Sequence, residues 1–264
     1  MGLSPSGFLN TDVGNIEFRW IEPTRGNAVT LVLLHEGLGC VSMWKDFPDQ
    51  LATTTGCGIL VYSRPGYGKS DPITLPRPLT YMHTEATVIL PAVLHKAGID
   101  RCVLVGHSDG ASISIIHTGC VHSSSVLGAV LIAPHVFVES VSIKSIEHAR
   151  DAYTDTNLRE KLKRHHGDNV DITFHGWNQA WLDPAFLIWN IEEYLPDIAV
   201  PLLLLQGLND EYGTLAQLDR IEKSVTTRVT RHELSDCRHS PHKDQSALTV
   251  EYIRCFVSNV ENNQ

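Results

Sequence analysis

The amino-acid sequence predicts an α/β fold: a mostly parallel eight-stranded sheet flanked by helices, with a helical segment inserted before the penultimate strand. Two observations carry this expectation. Short continuous apolar runs, the pattern of strands buried on both faces, alternate with longer amphipathic stretches, the pattern of crossover helices. The alternation breaks once, at residues 135–197, and restarts at Pro201.

In chain order, residues 8–10 and 16–22 flank Asp12-Val13-Gly14-Asn15 and read as an opening hairpin. Residues 29–34, 59–62, 102–105, 127–132 and 201–205 are the buried strands, and the more polar 225–234 closes the series near a sheet edge. Helices are expected at 41–54, 80–97, 111–122, 214–223 and 244–260. The core domain is then 1–134 with 198–264, and 135–197 is a helical cap. Within the cap, Val170, Phe174, Trp177 and Trp181 recur at spacings of four, three and four, which puts them on one helical face. That face can be the cap's own small core; alternatively, Trp177 and Trp181 roof a substrate pocket over the sheet.

The 264 residues carry a formal net charge of −9, so the clustered Lys and Arg of a phosphate footprint are lacking and nucleic acid is not expected as a partner. Six cysteines are scattered without Cys-x-x-Cys spacing, several inside apolar runs, as reduced buried thiols would be. No signal-peptide pattern, no Asn-x-Ser/Thr sequon and no apolar run approaching the roughly 20 residues of a membrane span occurs, which points to a cytoplasmic protein without a membrane partner. Met1-Gly2-Leu3-Ser4-Pro5-Ser6 has the form of a myristoylation start, but one acyl chain anchors only marginally without a basic patch, and none follows. The residues leave monomer and homodimer open.

Gly106-His107-Ser108-Asp109-Gly110 is the one Gly-x-Ser-x-Gly match, directly after the strand 102–105 and directly before a helix. A strand-to-helix turn that sharp strains its central residue, and flanking glycines keep Cβ atoms from colliding. Ser108 would then stand at a helix N-terminus, whose dipole favours developing negative charge. A serine hydroxyl needs a base, and the base needs a carboxylate to fix its tautomer. Asp210 follows the strand 201–205, where sites of open α/β sheets are built, with Glu211 as the substitute. Of fourteen histidines, His239 and His242 lie between the last strand and the final helix. Ser240-Pro241 reads as an N-cap followed by Pro at the first helical position, so His239 stays in the loop and is preferred as base. The two histidines as a metal pair lack a third ligand, so no metal is expected. An oxyanion would take the Asp109 amide and a second amide from His35-Glu36-Gly37-Leu38-Gly39, Gly37 ahead of Leu38.

Together these motifs resemble the α/β-hydrolase superfamily over nearly the whole chain: the oxyanion loop 35–39, Ser63-Arg64-Pro65-Gly66-Tyr67-Gly68-Lys69-Ser70, the Ser108 elbow, Gly207-Leu208-Asn209-Asp210, and His239 in the order Ser, Asp, His. The Ser-Asp-Gly elbow with a helical cap looks most like the capped biphenyl hydrolase-like and valacyclovir hydrolase-like esterases. Glu36 and Arg238 depart from the resemblance, since relatives usually carry Gly at the first position and often at the second. The resemblance implies a cofactor-independent hydrolase of carboxylic esters or lactones of small to medium molecules, acting through an acyl-enzyme on Ser108. Hydrolysis of a carbon–carbon bond in a diketone-like substrate is an alternative the same residues support, and a ligand-sensing receptor on this fold is one from another class. Glu36, like Asp109, stands beside the proposed oxyanion site, where its carboxylate could meet a substrate amine.

Overall fold

The computed structural model describes residues 3–121 and 123–262. Met1 and Gly2, the first two residues of the myristoylation-type start, lie outside the described residues. The apolar runs become strands because both faces of each are covered. In β3 (Thr30–Leu34) Leu31 and Leu33 pack into one core layer while Val32 and Leu34 pack into the other, and in β5 (Cys102–His107) Val103 and Val105 oppose Cys102 and Leu104 in the same way.

The strands form one eight-stranded sheet in the order β1-β2-β4-β3-β5-β6-β7-β8. β1 (Ser6–Thr11) and β2 (Gly14–Ile21) make the antiparallel hairpin, and β2 pairs antiparallel with β4 (Gly58–Tyr62). From β4 onward, through β3, β5, β6 (Val126–Ile132), β7 (Leu202–Gly207) and β8 (Val229–Leu234), every neighbour is parallel. One face is covered by α1 (Phe47–Thr55) and, at the chain's far end, by a long helix whose Val250, Ile253, Val257 and Val260 face the sheet. The other face carries α2 (Tyr81–Thr84), α3 (Leu90–Ala97) and α4 (Asp109–Cys120).

Between β6 and β7 the chain makes α5 (Ser140–Asp155), α6 (Leu158–His166) and α7 (Val170–Leu182), followed by short 3-10 turns. After β7 come α8 (Ala216–Ser224), then α9 (Pro241–Asp244) and α10 (Ser246–Asn262), the long helix just described. Among the described residues no helix is long and apolar enough to cross a membrane.

Local differences from the expected boundaries have physical causes. The stretch 41–54 is two pieces, a 3-10 turn at Val41–Trp44 and then α1, because Lys45 adopts φ 53° and Pro48 opens a new first turn. The stretch 80–97 is one path with a widened π turn at Glu85–Ile89 between α2 and α3. Pro91 lacks an N–H and its ring crowds the carbonyl four residues back, and the wide turn accommodates both. The stretch 244–260 starts earlier, as α9, and breaks at Gln245 before α10. The expected last residue of the 111–122 helix, His122, is outside the described residues, and the helix itself begins at Asp109.

Candidate active site

β5 lies between β3 and β6 at the middle of the sheet, and its last residues turn straight into α4. Ser108 sits in that turn at φ 53° and ψ −116°, a conformation costly for a residue with a Cβ, and its amide donates to the Ile132 carbonyl at 2.9 Å. The flanking glycines make the turn possible by close approach. A Cβ on Gly106 would overlap the Gly110 carbonyl, and one on Gly110 would overlap the carbonyl of Leu34 at the end of β3. Gly110→Ala is accordingly expected to destabilise the fold by about 3 kcal/mol, read as a fall in melting temperature. Gly26→Ala, where nothing stands within 4 Å of the added carbon, is the control and should change stability by about 0.5 kcal/mol or less.

Because β5 and β7 run parallel, residues following them emerge at the same end of the sheet. There Ser108 Oγ lies 3.0 Å from His239 Nε2, and His239 Nδ1 lies 2.8 and 3.0 Å from the two oxygens of Asp210. Asp210 is fixed by further donors: the amides of Tyr212 and Gly213 at 2.8 and 3.2 Å, and Gln206 Nε2 at 3.2 Å. Burial pushes this carboxyl up, but the His239 ring and the Tyr212 amide outweigh it and hold its pKa below the usual carboxylate value. A carboxylate accepts only, so it selects the tautomer with Nδ1 protonated and leaves Nε2 free to accept from Ser108.

The loop that presents His239 is held at three points. Its amide donates to Glu211 Oε2 at 3.3 Å, its carbonyl accepts from His107 Nε2 at 2.7 Å, and the Asn209 amide donates to the Cys237 carbonyl at 2.9 Å. Gly207 permits the last contact, since a Cβ there would overlap the carbonyls of Cys237 and Arg238. Arg238 is outside the constellation: its side chain is exposed and pairs with Glu211 at 3.0 Å.

On the other side of Ser108, the Asp109 amide is the first of α4 and has no intrahelical acceptor. Gly37 lies in the loop after β3, and the pyrrole edge of Trp177 rests on it so closely that a Cβ would overlap the ring. Leu38 turns its carbonyl toward α6 and accepts from His166 Nε2 at 3.0 Å.

Three side chains weighed as substrate contacts are engaged by the protein itself. The Glu36 carboxylate stands 3.7 Å from Lys243 Nζ, a cation of the protein itself, and 3.6 Å from His107 Nδ1. The Asp109 carboxylate is buried; it accepts from the Tyr81 hydroxyl at 2.6 Å and lies 3.8 Å from Arg64 Nη2. Trp181, expected at a pocket, is 2% exposed, packed against His135, Phe186 and Trp189, with its indole N–H donated to Tyr81 Oη at 3.1 Å. A large ring whose single donor is satisfied internally is packing.

A model of the alpha/beta hydrolase family matches residues 31–252, which includes every residue of this site. The chain belongs to that family. Among solved structures of similar shape, the proline iminopeptidase of Mycobacterium smegmatis has a TM-score of 0.75 at 16% identity, covering 98% of this chain and 99% of that one. The enol-lactonase from Burkholderia xenovorans has a TM-score of 0.71 at 17% identity, over 96% and 100% of the two chains. The naproxen esterase (carboxylesterase NP) from Bacillus subtilis has a TM-score of 0.71 at 21% identity, over 95% and 90%. At such identities the likeness is one of fold.

Several residues of this alpha/beta hydrolase escape sequence reasoning although they hold the site: Gln206 on Asp210, His107 on the His239 carbonyl, Tyr81 on Asp109, and Arg64 beneath the loop 35–39. His107 carried a signal, being the first variable residue of the Gly-x-Ser-x-Gly motif. The others are joined to their partners only by the fold.

Proposed function

We propose that this alpha/beta hydrolase is a cofactor-independent serine esterase or lactonase that acts through an acyl-enzyme on Ser108. The observation that carries the reading is the unbroken line of hydrogen bonds from Ser108 Oγ through His239 to Asp210. His239 Nε2 takes the hydroxyl proton as Ser108 Oγ attacks the carbonyl carbon, and Asp210 stabilises the imidazolium that forms. The amides of Gly37 and Asp109 receive the negative oxygen of the tetrahedral intermediate. Collapse expels the alcohol, which takes the proton from His239. Water then repeats the sequence on the acyl-enzyme and releases the acid.

Residues 135–197 act in this reading as a cap, with Trp177 the residue that meets the substrate beside Gly37. The fold likeness to a lactonase and an esterase suits a carbonyl substrate of this kind. The test is covalent. A fluorophosphonate should add one adduct to the peptide containing Ser108, and short p-nitrophenyl esters should give a burst equal to one equivalent of enzyme. An unlabelled Ser108 peptide in active enzyme would remove the reading.

A further inference from the structure

Arg64 lies just past β4 and is fully buried, yet nothing in the line from Ser108 to Asp210 uses it. Burial pushes a guanidinium down, but the surrounding Tyr67, Asp109 and Glu85 keep Arg64 charged. Its Nη2 donates to the Glu36 carbonyl at 3.0 Å and stands 3.8 Å from Asp109 Oδ2. The same carbonyl also accepts from His35 Nδ1 at 2.7 Å and from the Gly39 amide at 3.1 Å. His35 is held in that tautomer by Arg64 itself, whose amide donates to His35 Nε2 at 3.1 Å.

The Glu36 carbonyl and the Gly37 N–H belong to one trans peptide unit and point in opposite directions. Three donors on the carbonyl, one of them cationic, fix the plane of that unit and polarise its N–H, because hydrogen bonds in series strengthen one another. On the second side, the Asp109 side chain is gripped between Arg64 and the Tyr81 hydroxyl, which fixes the residue whose amide is the other donor. One buried cation thus touches the supports of both amides.

We infer that Arg64 is the positioning residue of the oxyanion site, setting the Gly37 amide through the Glu36 carbonyl and the Asp109 amide through the carboxylate it shares with Tyr81. The inference rests on Gly37 and Asp109 being the oxyanion donors. Both tetrahedral intermediates, of acylation and of deacylation, use the same two amides, so disturbing them slows both steps and leaves KM nearly unchanged.

The test compares Arg64→Met, Arg64→Lys and Tyr81→Phe with the unaltered protein, using p-nitrophenyl butyrate and phenylboronic acid, a tetrahedral mimic. Rates are taken per site titrated by fluorophosphonate, so loss of folded protein does not count. Arg64→Met should lower kcat on the order of 10²-fold and weaken the boronate by the same factor, with KM within about twofold. Arg64→Lys should recover part of both, because the ammonium keeps the positive charge but ends a shorter, differently shaped side chain that does not reproduce the position of Nη2. Tyr81→Phe should lose about tenfold in kcat and boronate affinity together.

Unchanged kcat and boronate affinity in a folded Arg64 variant overturns the inference. Should neither Arg64 variant accumulate folded, Tyr81→Phe decides it: a parallel loss supports it, and no change overturns it. Ser108→Ala, assayed alongside, separates the two levels. An active Ser108→Ala removes the serine mechanism itself, whereas an inactive one beside unaffected Arg64 and Tyr81 variants removes only the role of Arg64.

Discussion

Ser108→Ala is expected to lower kcat by about 10⁶-fold while leaving the melting temperature within a few degrees. The nucleophile is lost, and His239 and Asp210 alone retain only what general base and oxyanion donors give to direct attack by water. Asp210→Asn should cost about 10⁴-fold, because an amide can donate to His239 Nδ1 and so turns the wrong nitrogen toward Ser108. The measurement is kcat at saturating p-nitrophenyl ester on protein whose fold is checked by circular dichroism. A Ser108→Ala enzyme within tenfold of the unaltered one would end the account. The side-chain swap itself is mild, since Ser108 is 7% exposed and its hydroxyl has His239 as its side-chain partner.

Acidification should unfold this protein over an unusually early range. His35, His107, His135, His166 and His242 are all buried, and burial is the foremost cause that lowers each pKa. His166 falls to about 4 and His135 to about 3. His166 illustrates the cost, since both ring nitrogens are engaged: Nδ1 accepts from the Gly68 amide at 2.9 Å, and Nε2 donates to the Leu38 carbonyl.

In the unfolded chain these rings take protons near the ordinary value of about 6.5. The folded state refuses them until lower pH, so the unfolded state binds more protons in between. The stabilisation is complete above about 6.5 and disappears as pH falls toward the folded value. For His166 alone that amounts to about 3 kcal/mol by pH 4, a large share of a typical domain's total of roughly 5–15 kcal/mol. Asp210 acts in the same direction but later, below its unfolded value of about 3.9. Urea unfolding at pH 7.5 and pH 5 reads the effect. Equal unfolding free energies at the two values would contradict it.

The legible parts of the molecule were those written locally. Continuous apolar runs reveal strands buried on both faces, and Gly106 and Gly110 reveal the elbow, because a close approach of backbone demands glycine whatever lies far away. His239 was found by its place after the last strand and before Ser240-Pro241. The surroundings of Trp181 and Glu36 are not legible for the opposite reason. Their spacing fixes which helix face or loop they occupy, but Tyr81, His107 and Lys243, which engage them, come from distant segments. Arg64 was invisible as a support because its targets, the Glu36 carbonyl and Asp109, lie 28 and 45 positions away in the chain and meet it only once β3, β4 and β5 lie side by side.

The bond between Ser108 and His239 spans 131 positions, and Asp210 reaches it from a third segment beyond β7. No contiguous fragment short of that span contains all three side chains, so on the proposed mechanism a nascent chain has no complete triad until residues 202–239 have docked. Activity on that mechanism therefore reports that all three segments are in place, and should be absent from any partly folded state in which one of them is undocked.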